Sequence, residues 1–462
     1  MNYLTKSKFK LATECPAKLF YTDKSEYINN KIDNPFLEAL ADGGYQVGEL
    51  AKYYYPNGHH VYALDYDEAL EQTNKLLEQD EVTIYEAAVK HNNLFIRVDI
   101  LIKRGLFIKI IEVKAKSIDN KLKSFLTKKE DKVLAKWEPY LFDVAFQRYV
   151  ARSAFPDLTV TSYLLLTDKT ATTPTEGLNQ KFQITVDDKK RKGVSVSSSL
   201  SKEDLSVKLM RQIPVDVECD LICNTKVGND RRGVNFIGQI KEYSKSYSND
   251  IKIRPILKKE CRDCEFHASQ KDLDSGFRSG FHECWKEQLN WTDKDFEKPN
   301  VLDIWDCREK DKLIQDGKIK FSQFYEEDIN PSFEVGDGKL CRKERQWLQI
   351  EKVRSNDTSA WIDKSGLKAE MDSWVYPLHF IDFETTAMAI PFNKGRRPYE
   401  GIAFQFSHHV VYEDGRIEHK GEYINTERGM FPNYEFVRRL KSELSQDKGT
   451  IFKYSPHENT YL

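Results

Sequence analysis

The sequence has little of what marks a secreted or membrane-embedded protein. Its eight cysteines are few for a chain of 462 residues and do not form the dense framework of a disulfide-bonded secreted domain. No apolar run approaches the ~20 residues needed to span a bilayer, and residues 1–6 lack the apolar core of a signal peptide. We therefore predict a cytoplasmic protein with reduced thiols and no membrane partner.

An overall excess of charge is also lacking. The net charge of −2 identifies no class of partner, because the local distribution of charge decides nucleic-acid affinity. Locally, Leu101–Tyr140 holds eleven Lys or Arg residues against five Asp or Glu, and Lys189–Lys192 is a second basic run. Each run alone is usually a solvated surface. The length predicts two or three domains, and the sequence has no internal repeat.

A predicted hairpin brings two acids and a lysine together. The alternating pattern of Leu94–Val113 predicts two strands joined by a short turn. Because Asp99 and Glu112 lie at similar distances from this turn, antiparallel pairing places their carboxylates nearly opposite each other. Lys114 is two residues beyond Glu112 and shares its face of the strand. Two buried carboxylates repel each other unless a metal ion or a proton neutralises them.

Two predicted helices flank this hairpin. Trp137–Val150 has apolar residues at helical spacing, and Gln147 would lie where this helix packs over the sheet. Gly44–Ala51 is a second predicted helix that offers another acid, Glu49, for which an ordinary surface position is the simpler interpretation. For the charges of the hairpin, the alternative interpretation is a solvated strand edge.

This order of elements resembles the PD-(D/E)XK nuclease superfamily, and within it the RecB-type and CRISPR-associated RecB-like exonucleases. The opening segment strengthens the resemblance, because Leu4–Phe9 is followed by the Cys-Pro-basic-aromatic stretch Cys15–Tyr21. The resemblance covers residues 1–290. It implies an α/β fold with a restriction-endonuclease-like mixed sheet flanked by helices.

The resemblance also implies roles for individual residues. Asp99 and Glu112 would bind Mg²⁺ or Mn²⁺, Lys114 would be the catalytic lysine, and Gln147 would be an accessory polar residue. Many relatives use a further histidine ligand before the aspartate. No histidine of this sequence clearly takes that place, which leaves Glu49 as a candidate substitute.

Closely spaced cysteines in a reduced setting bind metal more often than they form a bridge. Cys261 and Cys264 are separated by two residues, so both thiolates can face one metal centre from a turn. In the RecB-like nucleases, one early and three late cysteines hold an iron–sulfur cluster. The resemblance therefore implies a [4Fe–4S] cluster at Cys15, Cys261, Cys264 and Cys284, although the nineteen residues between the last two exceed the spacing expected from those relatives.

Other interpretations of the cysteines stay open. Zinc would be bound by four thiolates, or by three thiolates with His267 or His282 in place of the fourth. Cys219 and Cys223 are a rival pair, although the residues between them are typical of a packed strand. Two further thiols are expected to be isolated in the core: Cys307 and Cys341.

Ser201–Ile213 is a further predicted helix, with Ser201 as its N-cap. Beyond residue 290, the chain predicts two further regions. Residues 291–373 are mixed and charged, which predicts a helical connector. Residues 374–462 begin with a strand-like run that delivers Asp382 and Glu384. Two acids at positions i and i+2, at the end of a buried strand, are what a two-metal exonuclease uses.

This last region resembles the DnaQ-like 3′–5′ exonucleases, which have a ribonuclease-H-like fold. Glu458 would belong to their second motif, with Glu in place of the usual Asp. The third motif is absent, so we expect residues 374–462 to be a truncated domain without catalysis of its own.

Two functional hypotheses follow from the sequence. The first is a metal-dependent deoxyribonuclease that acts on DNA ends or single strands, in DNA processing or phage defence. The second is a nucleic-acid-binding scaffold subunit that serves, without catalysis, within a bacterial defence or repair complex of several proteins. The Asp, Glu and Lys trio favours the first hypothesis, because a scaffold has no chemical need for it. The truncated C-terminal region favours the second.

Overall fold

A mixed sheet forms the centre of the N-terminal part of the chain. The computed structural model describes residues 2–32, 34–122, 124–188, 191–224, 234–332, 340–456 and 458–461. The strands of this part are β1 (Leu4–Thr5), β2 (His59–His60), β3 (Glu81–His91), β4 (Leu94–Arg104), β5 (Phe107–Ile118), β6 (Thr159–Asp168), β7 (Phe182–Val186), β8 (Lys192–Val196) and β9 (Met210–Pro214). The sheet runs in the order β2-β3-β4-β5-β6-β9, β1 pairs with β4 off this path, and β7 and β8 form a separate hairpin. β3, β4 and β5 are antiparallel neighbours, whereas β5 and β6 are parallel.

Helices cover both faces of this sheet. They are α1 (Lys6–Glu14), α2 (Lys18–Tyr21), α3 (Pro35–Tyr53), α4 (Tyr66–Leu77), α5 (Glu138–Ala154), α6 (Asp216–Asn224) and α7 (Phe236–Ser248). α5 packs on β3 and β6, and α3 packs on β5 and the β7–β8 hairpin. Consecutive residues of β5 such as Ile110 and Ile111 enter different core clusters, because successive side chains of a strand point to opposite faces.

Two strands share one edge of β4. β3 occupies the whole of the other edge, from Leu94 to Arg104. β1 pairs with β4 at Leu94 and Phe95, and β5 pairs with it from Ile100 to Arg104. Asp99 therefore lies in the gap between the two pairings. Residues that follow β1 are brought directly to this gap.

Short helices build the next part of the chain. They are α8 (Gln270–Asp274), α9 (Gly280–Leu289), α10 (Asp293–Phe296), α11 (Lys310–Gln315), α12 (Glu326–Ile329), α13 (Arg342–Arg354) and α14 (Lys364–Asp372). Tyr21, Trp285 and Trp347 are buried in a single core cluster. Residues that the sequence assigns to a helical connector thus share their core with the segment that bears Cys261, Cys264 and Cys284.

A second sheet forms the C-terminal part. Its elements are β10 (Leu378–Thr386), β11 (Ile402–Val411), β12 (Ile417–Ile424), α15 (Asn433–Leu444), β13 (Ile451–Phe452) and α16 (Glu458–Tyr461). The strand order is β12-β11-β10-β13, with β13 parallel to β10. α15 packs on β11 and β12, and Phe383, Phe406 and Phe436 lie in the core between them.

The segment between β10 and β11 docks on the N-terminal part. Ile390 is buried in the core cluster of α3, and its carbonyl accepts a hydrogen bond of 3.0 Å from Asn179. The Tyr399 hydroxyl donates to the backbone carbonyl of Ala115 in β5. The C-terminal part is thereby tied to the strand that carries Glu112.

Two local predictions are wrong. The sequence favours a helix over Ser201–Ile213, but Ser201 and Asp204 form a turn and Met210–Pro214 is strand β9. The buried Asp204 carboxylate is bound by Lys181, which fixes the turn. The sequence also favours a strand between Cys219 and Cys223, where the chain forms α6. A helix places Asp216 and Asp220 on one side, and Arg148 of α5 binds both.

The structure confirms the broad class predicted from the sequence, a mixed α/β protein whose mixed sheet is flanked by helices. None of the helices in the described ranges combines the length and the apolar character that crossing a bilayer requires.

Candidate active site

The β4–β5 hairpin brings Asp99 and Glu112 together as the sequence predicts. Ile100 lies opposite Ile111, so Asp99 and Glu112 are the next positions along the two strands. The Asp99 carboxylate accepts a hydrogen bond of 2.6 Å from the backbone N–H of Val113, one residue beyond Glu112. Glu112 is only 2 % exposed, which excludes the interpretation of a solvated strand edge for this acid.

Helix α5 supplies two partners from one of its faces. The Gln147 side-chain amide donates to Glu112 at 2.5 Å, as its predicted place over the sheet suggests. Lys114 Nζ lies 2.8 Å from Glu112 and 2.8 Å from Asp143, which is one helical turn before Gln147. Asp143 is a site residue that the sequence reasoning missed. Its spacing of four from Gln147 on a predicted helix was the available signal.

Lys6 is a second residue that the sequence reasoning missed. Its Nζ lies 2.7 Å from Glu112 Oε1 and 4.0 Å from Asp99 Oδ1. Lys6 is the first residue of α1 and directly follows β1, whose pairing with β4 delivers it to the gap beside Asp99. No spacing rule within the sequence connects Lys6 to an acid 106 residues away.

A third acid adjoins the pair from β3. The residues on either side of Glu86 pair with those on either side of Asp99, so the two acids face each other across neighbouring strands. Glu86 has a φ of +57°, a left-handed conformation that is rare for a non-glycine residue and strained within a strand. Burial raises the pKa of Glu86, against the opposing effect of Lys52 and Lys6.

Glu49, the candidate substitute ligand, is not part of this network. Its carboxylate is bound by Lys52 at 2.6 Å, one turn further along α3. The described contacts of Glu49 include no hydrogen bond or ion pair with Asp99 or Glu112. The Glu49 side chain is 24 % exposed, so Glu49 is half-buried rather than an ordinary surface residue.

The surroundings of Asp99 and Glu112 shift the pKa values of the two carboxyl groups in opposite directions. Burial raises the pKa of Asp99 above its ordinary value, and the neighbouring Glu112 carboxylate adds to this effect. Burial also opposes ionisation of Glu112, but Lys114 and Lys6 outweigh it and lower its pKa. The same pairing outweighs burial at both lysines and raises their pKa values. Glu112 is thus the fixed anion, and Asp99 is the acid that most needs a further positive charge.

The donor set fits a hard divalent cation. Carboxylate oxygens are the ligands that Mg²⁺ and Mn²⁺ prefer, and the ammonium group of Lys6 marks where positive charge is stabilised between Asp99 and Glu112. Within the described part of the chain, however, no three Asp, Glu, His or Cys side chains are already arranged to hold a metal ion.

The four predicted cluster cysteines line one cavity. Cys15 caps the C-terminus of α1, Cys261 and Cys264 lie on and just after a short 3₁₀ turn, and Cys284 is on α9. Burial raises the pKa of Cys261 to about 11 and of Cys264 and Cys284 to about 12. Burial therefore favours the neutral thiol at these three positions, and a thiolate there would need a positively charged partner, because an unpaired buried charge is costly.

The alternative ligands do not line this cavity. His267 and His282 contact the ring of Phe281 instead. Cys219 and Cys223 lie on α6, where Ser162 donates to the Cys219 sulfur. The two predicted isolated thiols do not line the cavity either. Cys307 is buried in the core as predicted, whereas Cys341 is exposed.

The predicted basic segment Leu101–Tyr140 runs along β5 and into the loop before α5. Lys116 Nζ lies 5.8 Å from the ring centroid of Tyr140, so a cation and an aromatic face lie together two residues beyond Lys114. In the second basic run, Lys189 and Lys190 lie outside the described residues, and the other two members form ion pairs with nearby acids.

The second predicted site draws its residues from β10 and α16. Asp382 and Glu384 are exposed on one face of β10, because residues two apart on a strand share a face. Glu458 is buried at the start of α16, and its Oε2 has no hydrogen-bond partner.

Comparison with known proteins adds one match. A family model described as a domain of unknown function (DUF2779) matches residues 379–462, which is the C-terminal sheet with α15 and α16. No curated protein and no solved structure matches the chain. The N-terminal part that holds Asp99, Glu112 and Lys114 lies outside the family match, so the chain is similar to this family in its C-terminal part.

Proposed function

We propose that this protein is a divalent-metal-dependent deoxyribonuclease of the PD-(D/E)XK superfamily, of RecB type, acting on DNA ends or single strands. One observation carries the proposal: Glu112 is buried, bound by Lys6, Lys114 and Gln147, and adjacent to Asp99. Apolar side chains of similar volume would stabilise the fold as well as or better than such a cluster of buried charges. Such a cluster in a strand hairpin therefore favours a chemical role over a structural one.

The side chains have distinct roles in this proposal. A divalent ion bound by Asp99 and Glu112 would supply a metal-activated water and neutralise phosphate charge. Lys114 stays an ammonium ion, because Glu112 and Asp143 outweigh its burial and raise its pKa. Lys114 therefore donates hydrogen bonds and stabilises negative charge rather than removing a proton. Gln147 fixes Glu112, and Asp143 fixes Lys114.

The proposal includes a [4Fe–4S] cluster at Cys15, Cys261, Cys264 and Cys284, with zinc as the alternative. The support is the shared cavity between the N-terminal helix and the late cysteine segment. A structural staple is the simplest role for the cluster, because it would join chain segments that are remote in sequence. The C-terminal region is proposed to resemble the DnaQ-like exonucleases, with Asp382 and Glu384 on β10 as its first acidic motif.

Cleavage of labelled DNA tests the nuclease. We expect the protein to degrade single-stranded or blunt double-stranded DNA with Mn²⁺ or Mg²⁺, and to be inactive in EDTA. Glu112→Gln and Lys114→Met should each lower the rate by at least about a hundredfold, as expected for a metal ligand and an electrostatic stabiliser. Glu68→Gln, on the exposed face of α4, is the matched control and should keep full activity.

The outcomes separate the two hypotheses. Tight DNA binding without cleavage under any metal condition would favour the scaffold subunit of a defence complex. DNA cleavage that survives Glu112→Gln would contradict the assignment of the catalytic site to Asp99, Glu112 and Lys114. Labelled RNA in the same assay decides the nucleic-acid preference.

An ultraviolet–visible spectrum of anaerobically purified protein, with iron, sulfide and zinc assays, tests the cluster. Broad absorbance near ~400 nm with about four irons per chain supports the [4Fe–4S] assignment. Zinc without iron would keep the cysteine site and weaken the resemblance to the RecB-like nucleases. Absence of both metals would overturn the cysteine proposal and leave the carboxylate site standing alone.

A further inference from the structure

The ammonium group of Lys6 lies beside Asp99 and Glu112, where a divalent cation is expected to bind. Its ammonium group contacts Glu112 at 2.7 Å and lies 4.0 Å from Asp99. The Lys6 side chain is 23 % exposed, so it reaches the site from the side that solvent also reaches. Sequence reasoning and the superfamily resemblance assign it no role.

The two lysines of the site are held differently. Lys114 is within 2.8 Å of both Glu112 and Asp143, so it keeps a partner even if Glu112 is taken by a metal ion. Among the acids that the structure describes, Glu112 is the one in short contact with Lys6, and its second acid is the more distant Asp99. A cation that binds between Asp99 and Glu112 therefore displaces Lys6 and leaves Lys114 in place.

The displaced ammonium group cannot travel far. Lys6 begins α1, and Phe9 of that helix is buried and stacked on Phe146 of α5 with ring centroids 4.6 Å apart. The helix is thereby anchored, while the lysine side chain itself is long and flexible with three donors. Once released from Glu112, it remains beside the metal position with an unpaired positive charge.

We propose that Lys6 is a resident cation of the site, which yields its place to the divalent metal and then binds a non-bridging phosphate oxygen of the nucleic acid. This inference rests on the proposed nuclease function. It adds a substrate-contacting residue from outside the hairpin, and it makes metal binding the event that prepares the phosphate site. Metal and nucleic acid then bind cooperatively, because each uses a group that the other releases or neutralises.

A two-way comparison tests the inference without relying on cleavage. The affinity of wild type and Lys6→Met for a fluorescein-labelled single-stranded oligonucleotide is measured with Ca²⁺ and with EDTA. With Ca²⁺ we expect Lys6→Met to weaken binding roughly tenfold, as for one charge-assisted hydrogen bond, and to reduce the salt dependence by about one phosphate contact. In EDTA, where Glu112 occupies Lys6, we expect less than a twofold effect.

The affinity for Mn²⁺ should change in the opposite direction to the affinity for DNA. Removing the resident cation should tighten Mn²⁺ binding to the DNA-free protein several-fold, as measured by titration calorimetry, because the ion no longer displaces an ammonium group. Lys8→Met is the matched control on the same helix. Lys8 pairs with Asp23 and Tyr247 away from the site, so neither affinity should change.

The results distinguish this inference from the nuclease proposal. Equal loss of DNA affinity with Ca²⁺ and with EDTA, or no loss in either, overturns the role of Lys6 even if wild type cleaves DNA. Wild type that binds neither Mn²⁺ nor DNA overturns the nuclease proposal first. If Lys6→Met fails to fold, Lys6→Gln takes its place in the same comparison, and Lys6→Arg should restore metal-dependent DNA affinity.

Discussion

At the scale of single residues, Asp99 is where burial and charge conflict. It accepts a hydrogen bond from the backbone of Val113, but it faces Glu86 on one strand and Glu112 on the other. Lys6 is 4.0 Å away, too far for a short ion pair. Burial and Glu112 therefore raise the pKa of Asp99, and the metal-free protein holds a proton there more tightly than an unfolded chain does.

The charge on Asp99 should make the metal-free protein less stable as pH rises. The loss begins near the ordinary Asp pKa of about 3.9 and is complete once pH exceeds the raised pKa of the folded state. Asp99→Asn keeps the hydrogen-bond acceptor without the charge. We expect it to raise the melting temperature in EDTA at pH 8, with a gain that shrinks as pH falls towards 4.

The same thermal measurements with Mn²⁺ complete this test. Wild type should gain stability from the ion at pH 8, and Asp99→Asn should gain less, because a metal ligand has been weakened. A melting-temperature difference between the two proteins that is the same at pH 8 and pH 5 would contradict the electrostatic explanation.

The site residues that could be predicted are those set by local spacing. Asp99 and Glu112 follow from hairpin symmetry, and Gln147 follows from the apolar face of a predicted helix. Lys6 was missed because its approach depends on β1 pairing with β4, and a two-residue strand leaves no periodic pattern in the sequence. Glu86 was missed because a left-handed residue within a strand cannot be recognised from residue type when that residue is not glycine.

At the scale of elements, α1 connects the two proposed centres. It begins at Lys6 in the carboxylate site and its C-cap is Cys15 at the cysteine cavity. Phe9 anchors the helix between these ends, stacked on Phe146 and edge-to-face with Phe236 at 5.2 Å. The packing of one buried ring thus sets the position of groups at both ends of the helix.

Truncating this ring should destabilise the protein strongly. We expect Phe9→Ala to lower the free energy of unfolding by about 3–5 kcal/mol, from lost burial and the cavity left behind, and Phe9→Leu by less. Chemical denaturation followed by circular dichroism measures the loss. Phe277→Ala is the control, because that ring is 40 % exposed and should cost little. A loss for Phe9→Ala no larger than that of the control would show that α1 is not anchored through this ring.

Helices and strands were predicted best where a single periodic pattern of apolar residues dominates the sequence. The hairpin strands and α5 were found close to their predicted bounds because alternation and helical spacing agree with their tertiary contacts. The helix expected over Ser201–Ile213 failed because its capping residues serve a turn held by Lys181. The strand expected at Cys219–Cys223 failed because Arg148 on α5 selects the helical spacing of two acids.

At the scale of the whole molecule, the cysteine cavity joins the first and third quarters of the chain. Cys15 ends α1, and Tyr21 contacts Cys284 at 3.4 Å across 263 residues of sequence. If a metal cluster fills this cavity, it closes a long loop that is otherwise held by apolar packing and by polar contacts such as the Lys18–Glu265 ion pair of 2.6 Å. Closing a loop of this length restricts the unfolded chain and stabilises the folded one.

Removing one cysteine ligand should therefore lower both the melting temperature and the visible absorbance of the cluster. We expect Cys15→Ala and Cys284→Ala each to reduce the melting temperature and to abolish absorbance near ~400 nm, and we expect an iron chelator to do the same to wild type. Cys341→Ala is the control, because that thiol is exposed and away from the cavity. Unchanged melting of Cys284→Ala in a protein that contains iron would exclude the staple role.

Because α1 is far in sequence from some of its partners, the carboxylate site and the cysteine cavity are completed at different times during synthesis. The carboxylates of Asp99 and Glu112 meet within a local hairpin, which forms as soon as its strands leave the ribosome. The wall of the cysteine cavity is not finished until Cys284 has been made, on the order of ten seconds to a minute after synthesis begins. Until then the cavity at the C-terminal end of α1 lacks the wall that α9 provides. If the proposed function is right, a nascent chain would hold the two carboxylates before the cysteine cavity is closed, and both proposed centres would be complete only when most of the chain had been synthesised.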